Sequence, residues 1–285
     1  MFLFSCSGGN KNAGSEITVD SLSEDDIFSD IGNAKQIFYS LPSPLESALL
    51  IKSAGATFKE GLLNPIDKAG KYTTNRAMAL NLGIYITDLS YASLFDQAQI
   101  TIKYMEASKK MADGLGIIDA IDKETMNRLE ENINNRDVIL DIISETFMSS
   151  TAFLKENDRQ PLATIALIGG WIEGLYLSSE LVGSDKVENN KIVSRIVDQK
   201  LSLEMVIKLM DGNKNNPDIK EIYPSIEKIK QVYDKITIKT TKIEPVVDEK
   251  TNVTTLKSTS SSNINQEIFN ELKETVKTIR SNFTL

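Results

Sequence analysis

The chain has no histidine, one cysteine and one tryptophan among its 285 residues. Without histidine it lacks the usual general base near neutral pH and the commonest transition-metal ligand. Ser-His-Asp and Cys-His catalysis are excluded within the chain, as are di-iron bundles of the Glu-x-x-His type and the usual zinc hydrolase sites. No metal site and no cofactor is expected; carboxylate-only chemistry, with Ca²⁺, Mg²⁺ or an Asp/Glu acid-base pair, stays open. The lone Cys6 forms no internal disulfide. Runs of Lys and Arg are missing too, and a formal charge of -8 with a pI near 4.9 opposes polyanion binding, so nucleic acid is not an expected partner.

What is present is apolar and periodic. Hydrophobic residues make up 41% and charged residues 25%, enough for a sizeable core in one large domain or two closely packed ones. Two stretches organise it: Ala77–Phe95 and Ala163–Leu181, each apolar on nearly every side. All-round hydrophobicity over that length predicts a helix buried on most of its circumference. The expected fold is all-α, a bundle of about 8–10 helices around these two central ones.

At the N-terminus, Leu3-Phe4-Ser5-Cys6 resembles the lipobox of bacterial lipoproteins, in which the cysteine is diacylated. Only five residues precede Cys6, too few for a charged region and an apolar signal core, so the leader is expected upstream of these residues. Residues 7–20 are rich in Gly, Ser, Asn and Lys without apolar period, as a flexible tether would be. Residues 1–24 thus read as lipobox remnant and tether, and Ser7 after the cysteine points to the outer membrane under the sorting rules of such lipoproteins. The expected partners are the membrane, through a lipid anchor on Cys6, and an unidentified protein or small-molecule ligand.

The bundle is read over residues 25–239. Its helices are expected at 25–39, 45–59, the first central stretch capped by Thr74 or Asn75, 98–111, 124–133, 136–155 capped by Asn135, the second central stretch opened by Pro161 and closed by Gly183-Ser184, 191–210, and 217–236 with a kink or restart at Pro224. Asp137, Asp141 and Glu145 at four-residue steps read as a solvated acidic face, because helical spacing does not wrap a cation. Residues 240–263, rich in Thr and Ser, read as a long excursion or linker. Residues 264–285 then carry Ile268, Leu272, Val276, Ile279 and Phe283 as one stripe on a last helix, expected to dock back on the bundle.

Aligning Gly83 with Gly169 pairs Ala77 with Ala163, Tyr85 with Trp171, Ile86 with Ile172, Leu89 with Leu175 and Ser93 with Ser179 without gaps. This suggests duplication of a four-helix unit, residues 40–136 and 137–237. Inside the central helices, Asn81, Tyr85 and Asp88 share a face at i, i+4 and i+7. With Tyr91, Trp171 and Glu173 they form the candidate ligand-binding set, and the bland reading of the same residues is a hydrogen-bond network that fixes helix register. Ala166, Gly170 and Gly174 make a small-residue stripe suited to close packing, and a membrane-spanning reading of this segment meets the cost of a central Glu173.

Three motifs, Leu41-Pro42-Ser43-Pro44-Leu45-Glu46, Leu63-Asn64-Pro65, and Ala79–Tyr85 running into Asp88-Leu89-Ser90-Tyr91, together with Cys6 ahead of them, resemble an uncharacterised family of helical bacterial cell-envelope lipoproteins. The resemblance implies a helical fold and an envelope location, and it brings no catalytic residues. Two functional expectations follow: a non-catalytic, membrane-tethered binding or scaffolding module, or a carboxylate-dependent enzyme or small-ligand receptor with a site between the central helices.

Overall fold

The first central stretch folds as α1 (Asn75–Leu94), started by the Thr74 hydroxyl, which accepts from the Ala77 amide at 3.1 Å. Thr74→Ala is expected to cost about 1 kcal/mol of stability, measured by thermal denaturation. The helix stops at Asp96, whose φ of 57° lies in the left-handed region that aspartate tolerates better than most side chains. The structure, a computed structural model, describes residues 56–117, 123–182, 187–188, 190–240, 244–248, 253–257 and 260–285. The lipobox, the tether, the helix expected at 25–39, most of that expected at 45–59, and the Gly183-Ser184 stop fall outside these residues.

The chain is irregular from Ala56 to Lys59, so no helix reaches the expected end at Lys59. Two short 3₁₀ turns follow, Glu60–Leu62 and Ile66–Gly70, with Asn64-Pro65 between them. After α1 come α2 (Ala98–Gly114), α3 (Lys123–Glu131), α4 (Arg136–Glu156), α5 (Gln160–Leu181), α6 (Lys191–Gly212) and α7 (Pro217–Tyr233). Asn135, Asn190 and Asn216 cap α4, α6 and α7, each side chain accepting from amides of the first turn. Pro224 sits inside α7 without ending it.

The all-α bundle is built as a shell around α1 and α5. These two pack against each other along most of their length; α2 and α4 cover α1, and α4, α6, α7 and the last helix, α8 (Gln266–Phe283), cover α5. The reason for their all-round hydrophobicity is therefore plain, since nearly every residue from Met78 to Leu94 and from Leu162 to Leu175 is buried. By length and composition α5 could cross a membrane, but 89% of its apolar window is buried by the surrounding helices, which makes it the core of this bundle.

Glycines set how closely the two helices meet. A Cβ on Gly83 would lie 1.9 Å from the Ala166 carbonyl oxygen and 2.6 Å from the Gly170 nitrogen, and a Cβ on Gly169 would lie 2.1 Å from the Leu80 carbonyl oxygen. The contact is reciprocal: the residue three before each glycine faces the opposite glycine. Thr87 fastens the seam, its hydroxyl donating to Gly83 O at 3.0 Å and Gly170 O at 3.3 Å.

The excursion between α7 and α8 runs out and back as an antiparallel ribbon. Strand β1 (Ile238–Thr240) pairs with β4 (Ser260–Ser262), and β2 (Glu244–Asp248) pairs with β3 (Val253–Lys257). Asn263 ties its base to the bundle, accepting from the Thr237 amide at 2.7 Å and donating to Lys235 O at 3.0 Å. From there α8 docks on α5 and α7, burying Leu272, Val276 and Ile279 of the expected stripe together with Phe269, while Ile268 and Phe283 are half-buried.

Candidate functional site

The polar centre of the fold forms around Leu63-Asn64-Pro65, a loop segment carried into the core. An irregular segment is tolerated there only if its backbone polar groups find partners. They do. The Asn64 amide donates to Asp88 Oδ2 at 3.0 Å, Tyr104 Oη donates to Asn64 O at 2.9 Å, and Tyr85 Oη donates to Pro65 O at 3.0 Å. Arg280 Nη2 donates to Leu62 O at 3.3 Å. The Asn64 side-chain amide reaches Tyr72 Oη and Asn81 Oδ1, both at 3.1 Å. Tyr72, Tyr85 and Tyr104 pack ring against ring, with centroids 6.2 and 6.0 Å apart.

Three charged side chains meet beside this loop. Glu173 on α5 is fully buried, and Arg280 on α8 grips it with two hydrogen bonds, Nε to Oε2 at 2.8 Å and Nη2 to Oε1 at 3.0 Å. Such a two-pronged pair combines strength with fixed geometry. The guanidinium carbon also sits 4.7 Å from the centre of the Tyr176 ring. Asp88 on α1, likewise fully buried, is near enough to Glu173 for the two charges to repel.

Burial pushes the Asp88 carboxyl well above the usual carboxylate range, and the neighbouring Glu173 charge raises it further; Arg280 and the Asn64 amide pull the other way. Burial alone would lower the Arg280 guanidinium, but the charge and hydrogen bonds of Glu173 more than offset this and raise it. Burial likewise raises the hydroxyls of Tyr72, Tyr85 and Tyr104, which stay neutral donors.

Of the residues singled out in the sequence, Asn81, Tyr85, Asp88 and Glu173 converge here. Asn81 donates to Ala77 O at 2.9 Å and to Phe283 O at 3.0 Å, which satisfies a carbonyl at the end of α8. Two others lie elsewhere. Trp171 stands two residues from Glu173, on the opposite side of α5, and donates to Gln199 Oε1 on α6 at 3.1 Å. Tyr91 stacks on Phe58 and Phe95, and its hydroxyl accepts from the Lys59 amide at 3.0 Å. Cys6 is outside the described residues. Asn64, Tyr72, Tyr104, Tyr176 and Arg280 complete the centre and were not among the sequence candidates.

Chemically, the arrangement is two carboxylates and one guanidinium among tyrosines: Asp88, Glu173, Asn81 and Tyr85 each have 0% exposure, while Arg280 keeps 8% and Tyr176 is half-buried. Among the described residues, no three or more acidic or cysteine side chains gather as they would around a metal ion. A cleft of about 390 Å³ lies at the base of the ribbon, lined in part by Val193, Val197, Ile238 and Ile264, and neither carboxylate borders it. Compared with protein-family models, with curated proteins and with solved structures, the chain matches none.

Proposed function

We propose that this protein is a non-catalytic helical binding or scaffolding module, held in the bacterial envelope by a lipid on Cys6. The observation that carries the non-catalytic part is the state of the central carboxylates. Glu173 is spent on Arg280, Asp88 is held against Asn64, and both are fully buried, so neither faces a substrate. An enzyme or receptor acting between the central helices needs those groups at the wall of an accessible pocket. Their burial favours the reading in which the network fixes the packing of α1, α5 and α8.

The envelope part is supported by Leu3-Phe4-Ser5-Cys6 and the polar stretch after it. The reciprocal approach of Gly83 and Gly169 supports descent of the two halves from one unit. Binding fits the two antiparallel strand pairs between α7 and α8, since a two-stranded sheet leaves backbone groups on both edges unpaired by the ladder.

The location is tested on protein made with its native leader. Mass spectrometry of the membrane fraction is expected to find diacylglycerol on Cys6, and Cys6→Ser is expected to release the protein from membranes. Unmodified Cys6, or a cytoplasmic pool of the wild type, would overturn the anchored reading.

A further inference from the structure

Asp88 Oδ1 is enclosed in the core and receives no hydrogen bond from any donor. Its partner oxygen Oδ2 is held by the Asn64 amide, so the orphan is not a disordered carboxylate but a fixed one with an oxygen left over. The charged neighbour that acts on it most strongly is the Glu173 carboxylate, itself an acceptor already engaged by Arg280. Two ionised carboxylates brought together in the core, with one guanidinium bonded to Glu173, leave a net negative charge unmatched. A proton on Asp88 resolves all of this at once: Oδ1–H donates to Glu173, the orphan oxygen gains its partner, and the cluster becomes neutral.

We infer that Asp88 carries a proton on Oδ1 directed at Glu173, and that this proton latches the last turn of α8 onto the central pair. The other neighbours supply no second counter-charge. Asn64 is neutral; Tyr72, Tyr85, Tyr104 and Tyr176 are all raised by burial and remain uncharged. Glu180 on α5 faces Lys273 at 3.1 Å and Lys277 at 4.0 Å, and Lys68 donates to Thr284 O at 2.7 Å. Glu60 is near Tyr104. Arg280 is bonded to Glu173 alone.

When the proton leaves, the repulsion between the carboxylates must be relieved by water. The α1–α5 seam cannot open to admit it, because Gly83 and Gly169 hold backbone against backbone there. The end of α8 is secured by side chains, through Arg280 to Glu173, Asn81 to Phe283 O and Lys68 to Thr284 O. That end is the element that yields.

The sign follows from the direction of the Asp88 shift. A carboxyl protonated in the folded chain and ionised in the unfolded one stabilises fully below its unfolded value, and the stabilisation is lost as pH rises towards its folded value. In urea unfolding of the full chain from about pH 5 to about pH 8, the folding constant is expected to fall up to about tenfold per pH unit relative to Asp88→Asn. The amide in Asp88→Asn reproduces the protonated acid, accepting from Asn64 and donating to Glu173. It is therefore expected to flatten this dependence and to be at least as stable as wild type at the alkaline end. Amide exchange in the last turn of α8, corrected for intrinsic rates, is expected to lose protection with rising pH in wild type but not in the variant. Parallel pH curves for the two proteins, or unchanged protection of that turn, would overturn the inference. The infrared spectrum of the unaltered protein at neutral pH decides it without any variant: a protonated carboxyl band is expected, and its absence sinks the proton on Asp88.

Discussion

Arg280→Met is expected to remove about 3–5 kcal/mol of folding stability, the range for breaking a buried ion pair from one side. The loss is large because the substitution strips Glu173 of both its hydrogen bonds while leaving it fully buried, and also removes the donor to Leu62 O. Against a total of roughly 5–15 kcal/mol for a typical protein, that is a sizeable fraction. Methionine keeps most of the apolar stem, so the measurement isolates the guanidinium. The companion is the double variant Glu173→Leu/Arg280→Met, which removes both charges. It is expected to regain much of the stability lost in the single variant, because no buried charge is left without its partner. Urea unfolding of the two variants and of wild type measures both differences. A loss below about 1 kcal/mol for Arg280→Met, the scale of an exposed pair, would show that water reaches Glu173 after all.

The second large effect is expected at Gly83. Gly83→Ala places a methyl group 1.9 Å from the Ala166 carbonyl oxygen and 2.6 Å from the Gly170 nitrogen. Both obstacles are backbone, so no side chain can rotate away, and α1 and α5 must separate. Separation stretches the Thr87 bond to Gly170 and loosens the tightest seam in the core. Overpacking costs typically about 1–3 kcal/mol, and a clash with backbone belongs at or above the upper end. Gly212→Ala is the control: it adds the same methyl near the end of α6, where nothing lies within 4 Å, and helix propensity predicts a gain of about 0.5–1 kcal/mol. Thermal denaturation should separate the two clearly. Equal midpoints would refute the account of the seam.

Much of this fold is legible in the sequence, and the reasons are physical. All-round hydrophobicity marks α1 and α5 because each is covered on every side, and single apolar faces mark their covers. The stripe of α8 announced its docking for the same reason. The ribbon was less legible: residues 240–263 lack helical period, but nothing in them alone says that two distant arms pair in register.

The candidate centre was half readable. Helical spacing put Asn81, Tyr85 and Asp88 on one face, and they do meet. Trp171 lies apart because two residues along a helix turn a side chain to the far side from Glu173, and Tyr91 lies apart in an aromatic cluster with Phe58 and Phe95. Arg280 left a signal: Leu272, Val276 and Arg280 follow at steps of four, so a cation stands on a buried face. Asn64 left little, since Asn-Pro normally marks an exposed turn and its burial depends on tyrosines from α1 and α2.

The contacts at the end of α8 also bear on when the molecule becomes complete. Arg280 reaches Leu62, and the carbonyls of Phe283 and Thr284 are taken by Asn81 and Lys68, partners 202 to 218 residues away in the chain. Until the final turn arrives, Glu173 has no cation and the carbonyl of Leu62 no donor, however well the earlier helices have formed. A growing or truncated chain therefore holds an unpaid charge at its centre. Contacts between parts of the chain so far apart in sequence are slow to close, so the docking of this end is expected late in folding.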